Sequence, residues 1–430
     1  MSHISETEFE AFIIGGTLVG MKIGIVGAGQ FSQCFVQLFQ AHPYVDEVVL
    51  AELHEDRREK FAKAFSLKQT YASLEELLSS DVDAVAIFTQ RHLHGPQTIQ
   101  ALQAGKHVYC AVPMAQSLEE ISAIIQEVQR SGLIYMTGET SYYYPSTVYC
   151  RDQFKAGHFG NFVYGEAQYL HDMTHGFYDA FKYSGGKDWK QVAGIPPMYY
   201  PTHSVSMVLS VTGAKATKVS CLGYVDQHED RIFREGANLW DNTFSNQSAL
   251  VRTSDGGMMR LNEFRRVGWG GNNSVYMSMF GTNGSYEEHA GGSAWTSLKW
   301  GAVENLTPQL ACKDRYVHVS DANMNQTLQN DFHASLAKVH HSFRLPHTFE
   351  GLPNGHFGSH QFLVDDYLKA IYTKKLPPNN AWRAADYLAP GLVAHESSKR
   401  EGEMLDVPDF GSPPSEWQLL DPDSFVAYRD

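Results

Sequence analysis

Cysteine is scarce in this sequence, and its five instances (Cys34, Cys110, Cys150, Cys221 and Cys312) show no C-x-x-C spacing. That suggests neither a disulfide framework nor a structural zinc site, and it fits a reducing compartment. Positive charge is also in deficit. The formal net charge is -14, whereas a nucleic-acid or anionic-membrane surface needs clustered Lys and Arg to neutralise phosphate. Neither nucleic acid nor membrane is therefore expected as a partner. No apolar run approaches the ~18 residues of a membrane span. The start is acidic (Glu6, Glu8, Glu10) and the short run Phe12-Ile13-Ile14 breaks at Gly15-Gly16, so a signal peptide is not expected. These absences predict a cytoplasmic protein. Internal repeats and low-complexity tracts are absent too.

What is present is length enough for two cores: 430 residues predict two domains with room for a cleft. Aromatics at 12%, with 22 Tyr and 20 His, suit a pocket that stacks on a ligand and hydrogen-bonds its hydroxyls. Residues 22–26 (KIGIV) form an apolar run that ends in Gly27-Ala28-Gly29, the pattern of a buried parallel strand entering a tight turn. Helical spacing over 31–40 and a strand-like 47–51 complete one β-α-β unit. Strand-like 82–88, a helix to 102, strand-like 107–110, a helix over 118–128 and a strand over 133–137 continue the alternation. Such alternation implies an α/β fold with a parallel, doubly wound sheet. Past Gly138 the rhythm changes to a helix over 144–155 and strand candidates at 162–170, 218–225, 247–253 and 257–264, which predict an α+β domain with a large, mostly antiparallel open sheet. Amphipathic helices are expected at 360–372 and 385–399.

In Gly27-Ala28-Gly29-Gln30-Phe31-Ser32 the two glycines permit a tight turn and a close approach of pyrophosphate to backbone amides at a helix N-terminus. Ser32 stands where a third glycine is usual. The loop follows a strand, precedes a helix, and is followed by acidic Glu52 at the end of the second strand. Glu52 would accept hydrogen bonds from the adenosine ribose and repel a 2′-phosphate, favouring NAD over NADP, with Arg57 and Arg58 close enough to temper that preference. Gly27, Gly29, Gln30, Phe31 and Glu52 are thus the expected cofactor residues of a Rossmann domain.

The stretch from Thr89 to Ala115, TQRHLHGPQTIQALQAGKHVYCAVPMA, resembles the Gfo/Idh/MocA oxidoreductases, whose members commonly read T-P-N-x-x-H, then A-L-x-A-G-K-H-V, then E-K-P. The resemblance runs on through SHQFLVDDYLKAI, KKLPPNN and HESSKREGE near the C-terminus. It implies that Thr89, His94 and Pro113 also serve the cofactor, that the last helices pack back on the Rossmann half, and that the chain forms a homodimer or homotetramer. The expected organisation is an N-terminal extension over 1–20, a Rossmann domain over 21–138, an α+β substrate and oligomerisation domain over 139–356, and C-terminal helices and tail over 357–430.

Two departures matter. The E-K-P triplet appears as Ala111-Val112-Pro113, so the lysine that usually helps move the hydroxyl proton is absent. The family's Asp four residues before a His appears as Tyr199 before His203. The Tyr200-Pro201-Thr202-His203 string, with V-P in place of K-P, looks more like the NAD-dependent glycosidase branch (glycoside hydrolase family 109) than the dehydrogenases. Glu139 and the Tyr169-Leu170-His171-Asp172 string sit where that branch carries an acidic pocket residue and a Tyr-x-His-Asp. Its further active-site tyrosine has only Tyr286 as a weak counterpart.

The resemblance implies hydride removal from a sugar ring carbon, C3 foremost, with His203 taking the hydroxyl proton through or beside Tyr200. Loss of the C2 proton, departure of the C1 substituent, addition of water and return of the hydride would cleave a glycoside without net redox. Tyr169 and Glu139 are the candidates for the C2 proton or the leaving group, and His171, Asp172 and Tyr199 for substrate contacts. Pro201 at the first helical position would set Tyr200 and His203 on one side of the first turn, and the helix N-terminus would favour neutral imidazole. The alternatives are a simple sugar or inositol dehydrogenase, a non-catalytic sensor of NAD and sugar, and a purely structural His203. No metal is expected, since hydrogen bonding to sugar hydroxyls accounts for His171, Asp172, His175 and His203. Of Arg265 and Arg266, alternation would send one to solvent. His356 and His360 would either reach the cleft or form a solvent-facing turn.

Overall fold

The computed structural model describes residues 20–269, 274–299, 301–312, 336–423 and 428, with the backbone of a short hairpin at 13–14 and 17–18. Most of the predicted N-terminal extension therefore lies outside the described residues.

The first domain is a six-stranded parallel sheet. Its strands are β1 (Met21–Val26), β2 (Val45–Ala51), β3 (Thr70–Tyr71), β4 (Ala84–Ile87), β5 (His107–Cys110) and β6 (Tyr135–Thr137), in the order β3-β2-β1-β4-β5-β6. The order reverses between β1 and β4, and a doubly wound sheet opens its ligand crevice at the carboxyl ends of the strands there. Five helices flank the sheet: α1 (Gln33–Ala41), α2 (Glu55–Ala64), α3 (Leu74–Leu78), α4 (His94–Gln103) and α5 (Leu118–Ser131). In α5 the Ser117 side chain accepts from the Glu120 amide at 3.1 Å, Ile121, Ile124, Ile125 and Val128 form the buried stripe, and Gly132 ends the helix at φ 68°. An N-cap hydroxyl, a 3.6-residue apolar period and a left-handed glycine specify that helix locally. Burial of its four aliphatic side chains stabilises the packing by about 1.5–3 kcal/mol each.

The second domain begins with α6 (Pro145–Lys155) and β7 (Phe162–Leu170). It continues through α7 (Tyr178–Gly185), α8 (Trp189–Ala193) and α9 (Thr202–Thr212). Strands β8 (Ala216–Val225), β9 (Phe244–Thr253), β10 (Met258–Phe264), β11 (Val275–Gly281), β12 (Gly284–His289), β13 (Gly292–Ser297) and β14 (Val303–Asn305) follow. With β15 (Leu405–Asp406) they form a nine-stranded sheet in the order β14-β13-β12-β11-β7-β10-β9-β8-β15. All its pairs are antiparallel except β7 with β10. The buried helix α9 crosses the inner face, with Val205, Met207, Val208 and Leu209 in the same core as Ala167, Met259, Leu261 and Met277. The outer face leaves Leu222, Tyr224, Leu250 and Met258 exposed.

Helices α10 (Gly355–Thr373) and α11 (Ala381–Lys399) return to the first domain. Phe362, Leu363 and Leu368 share a core with Phe35 and Leu38, and Trp382, Ala385 and Leu388 share one with Ile87, Ile121 and Ile124. The apolar stripe predicted for 360–372 implied a polar face in water. Instead Asp365, Asp366 and Lys369 are buried. Their charges are met by Arg344, at 2.7 Å from Asp365 and 2.9 Å from Asp366, and by the Lys369 to Asp365 pair at 3.0 Å. Charges this deep persist only when paired and hydrogen-bonded.

Candidate active site

A cavity of about 610 Å³ runs along the carboxyl ends of the parallel strands into the second domain. Its first wall is backbone. Gly27 has φ 97°, and a Cβ there would meet Thr89 at 3.2 Å and the Phe88 backbone at 3.3 Å, so only glycine turns the chain without strain. A Cβ on Gly29 would have one neighbour within 4 Å, the Phe88 carbonyl at 3.8 Å, leaving open space for a ligand to approach the amides. Ser32, in the third glycine's place, donates to the Gly29 carbonyl at 2.8 Å and fastens the loop. Gln30 and Phe31 line the cavity beside it.

Glu52 accepts from the Ala28 amide at 2.8 Å and the His54 amide at 2.9 Å. Each carboxylate oxygen keeps a further lone pair for a ribose hydroxyl. Arg58 donates to the Glu52 carbonyl at 2.8 Å, and Arg57 donates to the Tyr183 carbonyl at 2.6 Å with its guanidinium over the Tyr183 ring. Thr89 and His94 line the cavity, whereas Pro113 does not; its carbonyl bonds His94 Nδ1 at 2.8 Å. Pro113 thus acts on the site by holding His94. An open glycine cradle, a ribose-facing carboxylate and a helix N-terminus fit a dinucleotide.

The substrate end is made of side chains. His203 lies in the first turn of α9, with Pro201 at the N-cap, one position earlier than the sequence suggested. Its Nδ1 stands 2.6 Å from Glu139 Oε1. Burial opposes the ionised form of Glu139, but His203, then the Thr202 side chain and the Ser141 amide, hold its carboxyl below the usual carboxylate range. An ionised carboxylate only accepts, so Nδ1 carries the proton and Nε2 is left as the acceptor. The imidazole lines the cavity edge-on to two rings, Tyr169 at 5.2 Å and Tyr200 at 5.3 Å. Burial pushes both phenols up, Tyr169 far up, so each is a hydroxyl donor at neutral pH. Val112 lines the same cavity.

Several sequence expectations need correction. Glu139 was a candidate for substrate chemistry, but it is fully buried, is not among the cavity-lining residues and grips the back of His203. Asp172 does not line the cavity: its carboxylate accepts from the Thr174 and Val267 amides, both at 2.9 Å, and caps the turn that follows. Tyr199 is also outside the cavity and packs edge-on against His395 at 5.1 Å. Tyr286 is wholly buried in the second-domain core. Strand alternation failed for Arg265 and Arg266, because both are tied down, the first by Glu263 at 3.0 Å and the second by Asp230 at 2.6 Å. Among the described residues no His, Cys, Asp and Glu cluster could hold a metal ion.

His171 does line the cavity, stacked 4.0 Å from Phe177, and burial, then Arg265, lowers its pKa to about 3. It is a neutral hydrogen-bonding group. His356 also lines the cavity, with its Nδ1 2.9 Å from His360 Nε2; burial lowers it to about 4. His356, Phe357 and Gly358 all have left-handed backbone, at φ 48°, 54° and 86°. Two adjacent non-glycine residues held there store strain that sets the imidazole's direction. Sequence reasoning passed over two further features. Arg91 lines the cavity from the third residue of the TQRHLH string, and α7 lies beside the cofactor loop, with the Tyr183 hydroxyl donating to the Ala28 carbonyl at 3.4 Å and Gln90 donating to the Ser184 carbonyl at 3.0 Å. The signal for Arg91 was a cation where the family's motif has Asn.

Residues 21–139 match the Gfo/Idh/MocA model, described as an oxidoreductase family with an NAD-binding Rossmann fold. This Rossmann domain belongs to the Gfo/Idh/MocA family. Over 417 residues the chain is 24% identical to a glycosyl hydrolase family 109 protein of Streptomyces filamentosus, covering 91% of this chain and 77% of that protein. It is 28% identical to the trans-1,2-dihydrobenzene-1,2-diol dehydrogenase of Bos taurus, over 48% of this chain and 60% of that one. In fold it is similar to an oxidoreductase domain protein from Kribbella flavida (TM-score 0.67, 18% identity, 91% of this chain and all of the other). A levoglucosan dehydrogenase in complex with NADH and L-sorbose gives TM-score 0.69 at 17% identity, again over 91% of this chain and all of the other. Among the described residues no helix is long and apolar enough to cross a membrane.

Proposed function

We propose that the protein is an NAD-dependent carbohydrate enzyme that withdraws hydride from a ring carbon of a glycoside, C3 foremost, and cleaves the glycoside with the cofactor restored. The single observation that carries this reading is the Glu139-held His203, whose imidazole lines the cavity edge-on to Tyr169 and Tyr200 beside an inert Val112. The likeness to family 109 glycosidases over 91% of the chain supports it.

Gly27, Gly29, Gln30, Phe31, Glu52, Thr89 and His94 would hold NAD, which when bound supplies a two-electron hydride acceptor and donor. His203 Nε2 accepts the proton of the reacting hydroxyl, directly or through the Tyr200 hydroxyl, and Glu139 stabilises the resulting imidazolium. A ketone at that carbon acidifies the neighbouring C–H. Tyr169, held as a neutral phenol, donates to the departing oxygen instead of taking a proton. Neutral His171 and His356, on the same wall, are the groups proposed to take that C–H proton. The exposed Leu222, Tyr224, Leu250 and Met258 on one sheet face suit pairing of two copies as a homodimer or, doubled again, a homotetramer.

The test is incubation of the NAD-loaded protein with a glycoside panel while aglycone and reduced cofactor are both followed. Aglycone released with no lasting NADH is the expected outcome. NADH accumulating with an oxidised sugar would make the protein a dehydrogenase, and binding without turnover would make it a sensor.

A further inference from the structure

We propose that the substrate carries an acidic group, a carboxylate of the hexuronic-acid kind, and that Arg91 recognises it. The inference rests on the proposed function and narrows its substrate class. Arg91 opens the short turn Arg91–Leu93 just past β4, so its backbone belongs to the Rossmann domain. Its guanidinium nevertheless stands 4.6 Å from the ring centre of Tyr200, 5.1 Å from that of Phe181 and 5.7 Å from that of Phe177. All three rings belong to the second domain. The charge therefore stands among rings of the second domain, one of which, Tyr200, also contacts His203.

No described carboxylate pairs with Arg91, in a chain where 48 Asp and Glu outnumber 34 Lys and Arg. The neighbouring guanidiniums are engaged: Arg265 by Glu263, Arg266 by Asp230, Arg57 by the Tyr183 carbonyl. The acidic side chains on the cavity wall, Glu52, Glu75 and Asp179, form no ion pair with it; Glu52 takes two backbone amides and Glu75 the Gln100 amide. A guanidinium stacked on rings keeps N–H donors at its edge, in a planar fork that matches a carboxylate bidentately. Low-polarity aromatic walls strengthen that attraction. Tyr200 contacts both Arg91 and His203, so one sugar ring can present an acid group to the first and a hydroxyl to the second. Cation–π contact with three rings is itself favourable, and with one N–H turned to the Tyr200 hydroxyl the fork still keeps further in-plane donors for a ligand.

The test measures, on NAD-loaded protein, the affinities for D-glucuronate and D-galacturonate against D-glucose and D-galactose, in the wild type, Arg91→Met and Arg91→Lys. The expected result is tighter binding of the hexuronates by about 10–100-fold, the span of a charge-assisted hydrogen bond. Arg91→Met should erase that preference, Arg91→Lys should keep part of it, and NAD affinity should stay within about twofold, since the ring contacts of the guanidinium are all to the second domain. Equal or better binding of the neutral hexoses overturns the proposal, as does a preference that survives Arg91→Met, a loss of NAD affinity in that variant, or no binding of either hexuronate. Turnover of neutral glycosides with no preference for acidic ones sinks the inference and leaves the carbohydrate reading intact. Failure of both classes to turn over sinks that reading itself.

Discussion

The two ends of the cavity are built by different means. At the cofactor end, backbone amides, a left-handed glycine and one acidic side chain come from two consecutive turns of a β-α-β unit, so 25 or so residues of sequence contain most of the design. At the substrate end, Glu139, Tyr169, Tyr200 with His203, Arg91 and His356 converge from five separate places in the chain. A local motif can be recognised before the fold is known. Of a convergent site the sequence can name members, as it did Glu139, Tyr169, Tyr200 and His203, but their arrangement becomes visible only once α9, β7 and the start of α10 have been packed together.

The comparison can be broken first at Glu139. Glu139→Gln keeps the shape but removes the anion that fixes the imidazole tautomer, and kcat/KM should fall by about 10²–10³-fold with NAD affinity unchanged; steady-state kinetics beside a cofactor titration would check this. Gly27→Ala should do the reverse. Its φ of 97° is costly to any Cβ, so NAD affinity should fall about tenfold or more, from about 1–2 kcal/mol of strain, while the Glu139 to His203 pair stays intact. Tyr200→Phe should lower kcat/KM by a smaller factor, about 10-fold, if the hydroxyl relays a proton that His203 can also take directly.

The smallest effect separates stability from catalysis. The folded carboxyl of Glu139 is held below its ordinary value, so its contribution to stability is present above the unfolded carboxylate range, about pH 4.3. It is lost as pH falls through the lower folded value. Denaturation midpoints of the wild type and Glu139→Gln should therefore differ more at pH 7 than below pH 4. A gap that does not narrow on acidification would remove the ionised Glu139 from this account.

Five of the six Rossmann strands were legible because each is an apolar run bounded by turn residues, and the strand over 107–110 matches β5 to the residue; α2, the two-residue β3 and the short α3 were passed over, α2 because it buries only Phe61. The second sheet was legible as antiparallel, but the parallel pairing of β7 with β10 depends on a long connection that no local pattern encodes. The polar residues of α10 misled for a physical reason: periodicity reports apolarity, and Asp365, Asp366 and Lys369 are buried by charge pairing with Arg344 from outside the helix. The same blindness hid the true place of Glu139, whose partner lies 64 residues away. His203 was picked out from its neighbours in sequence, whereas what holds it was not.

The most direct test of the central claim is single-turnover hydride transfer in His203→Ala already loaded with NAD. The account predicts cofactor bound with wild-type affinity and no reduction of the nicotinamide on mixing with a glycoside that the wild type turns over. Reduction at a rate near the wild type would show that another group takes the hydroxyl proton, and the role given to the Glu139 to His203 pair would fail.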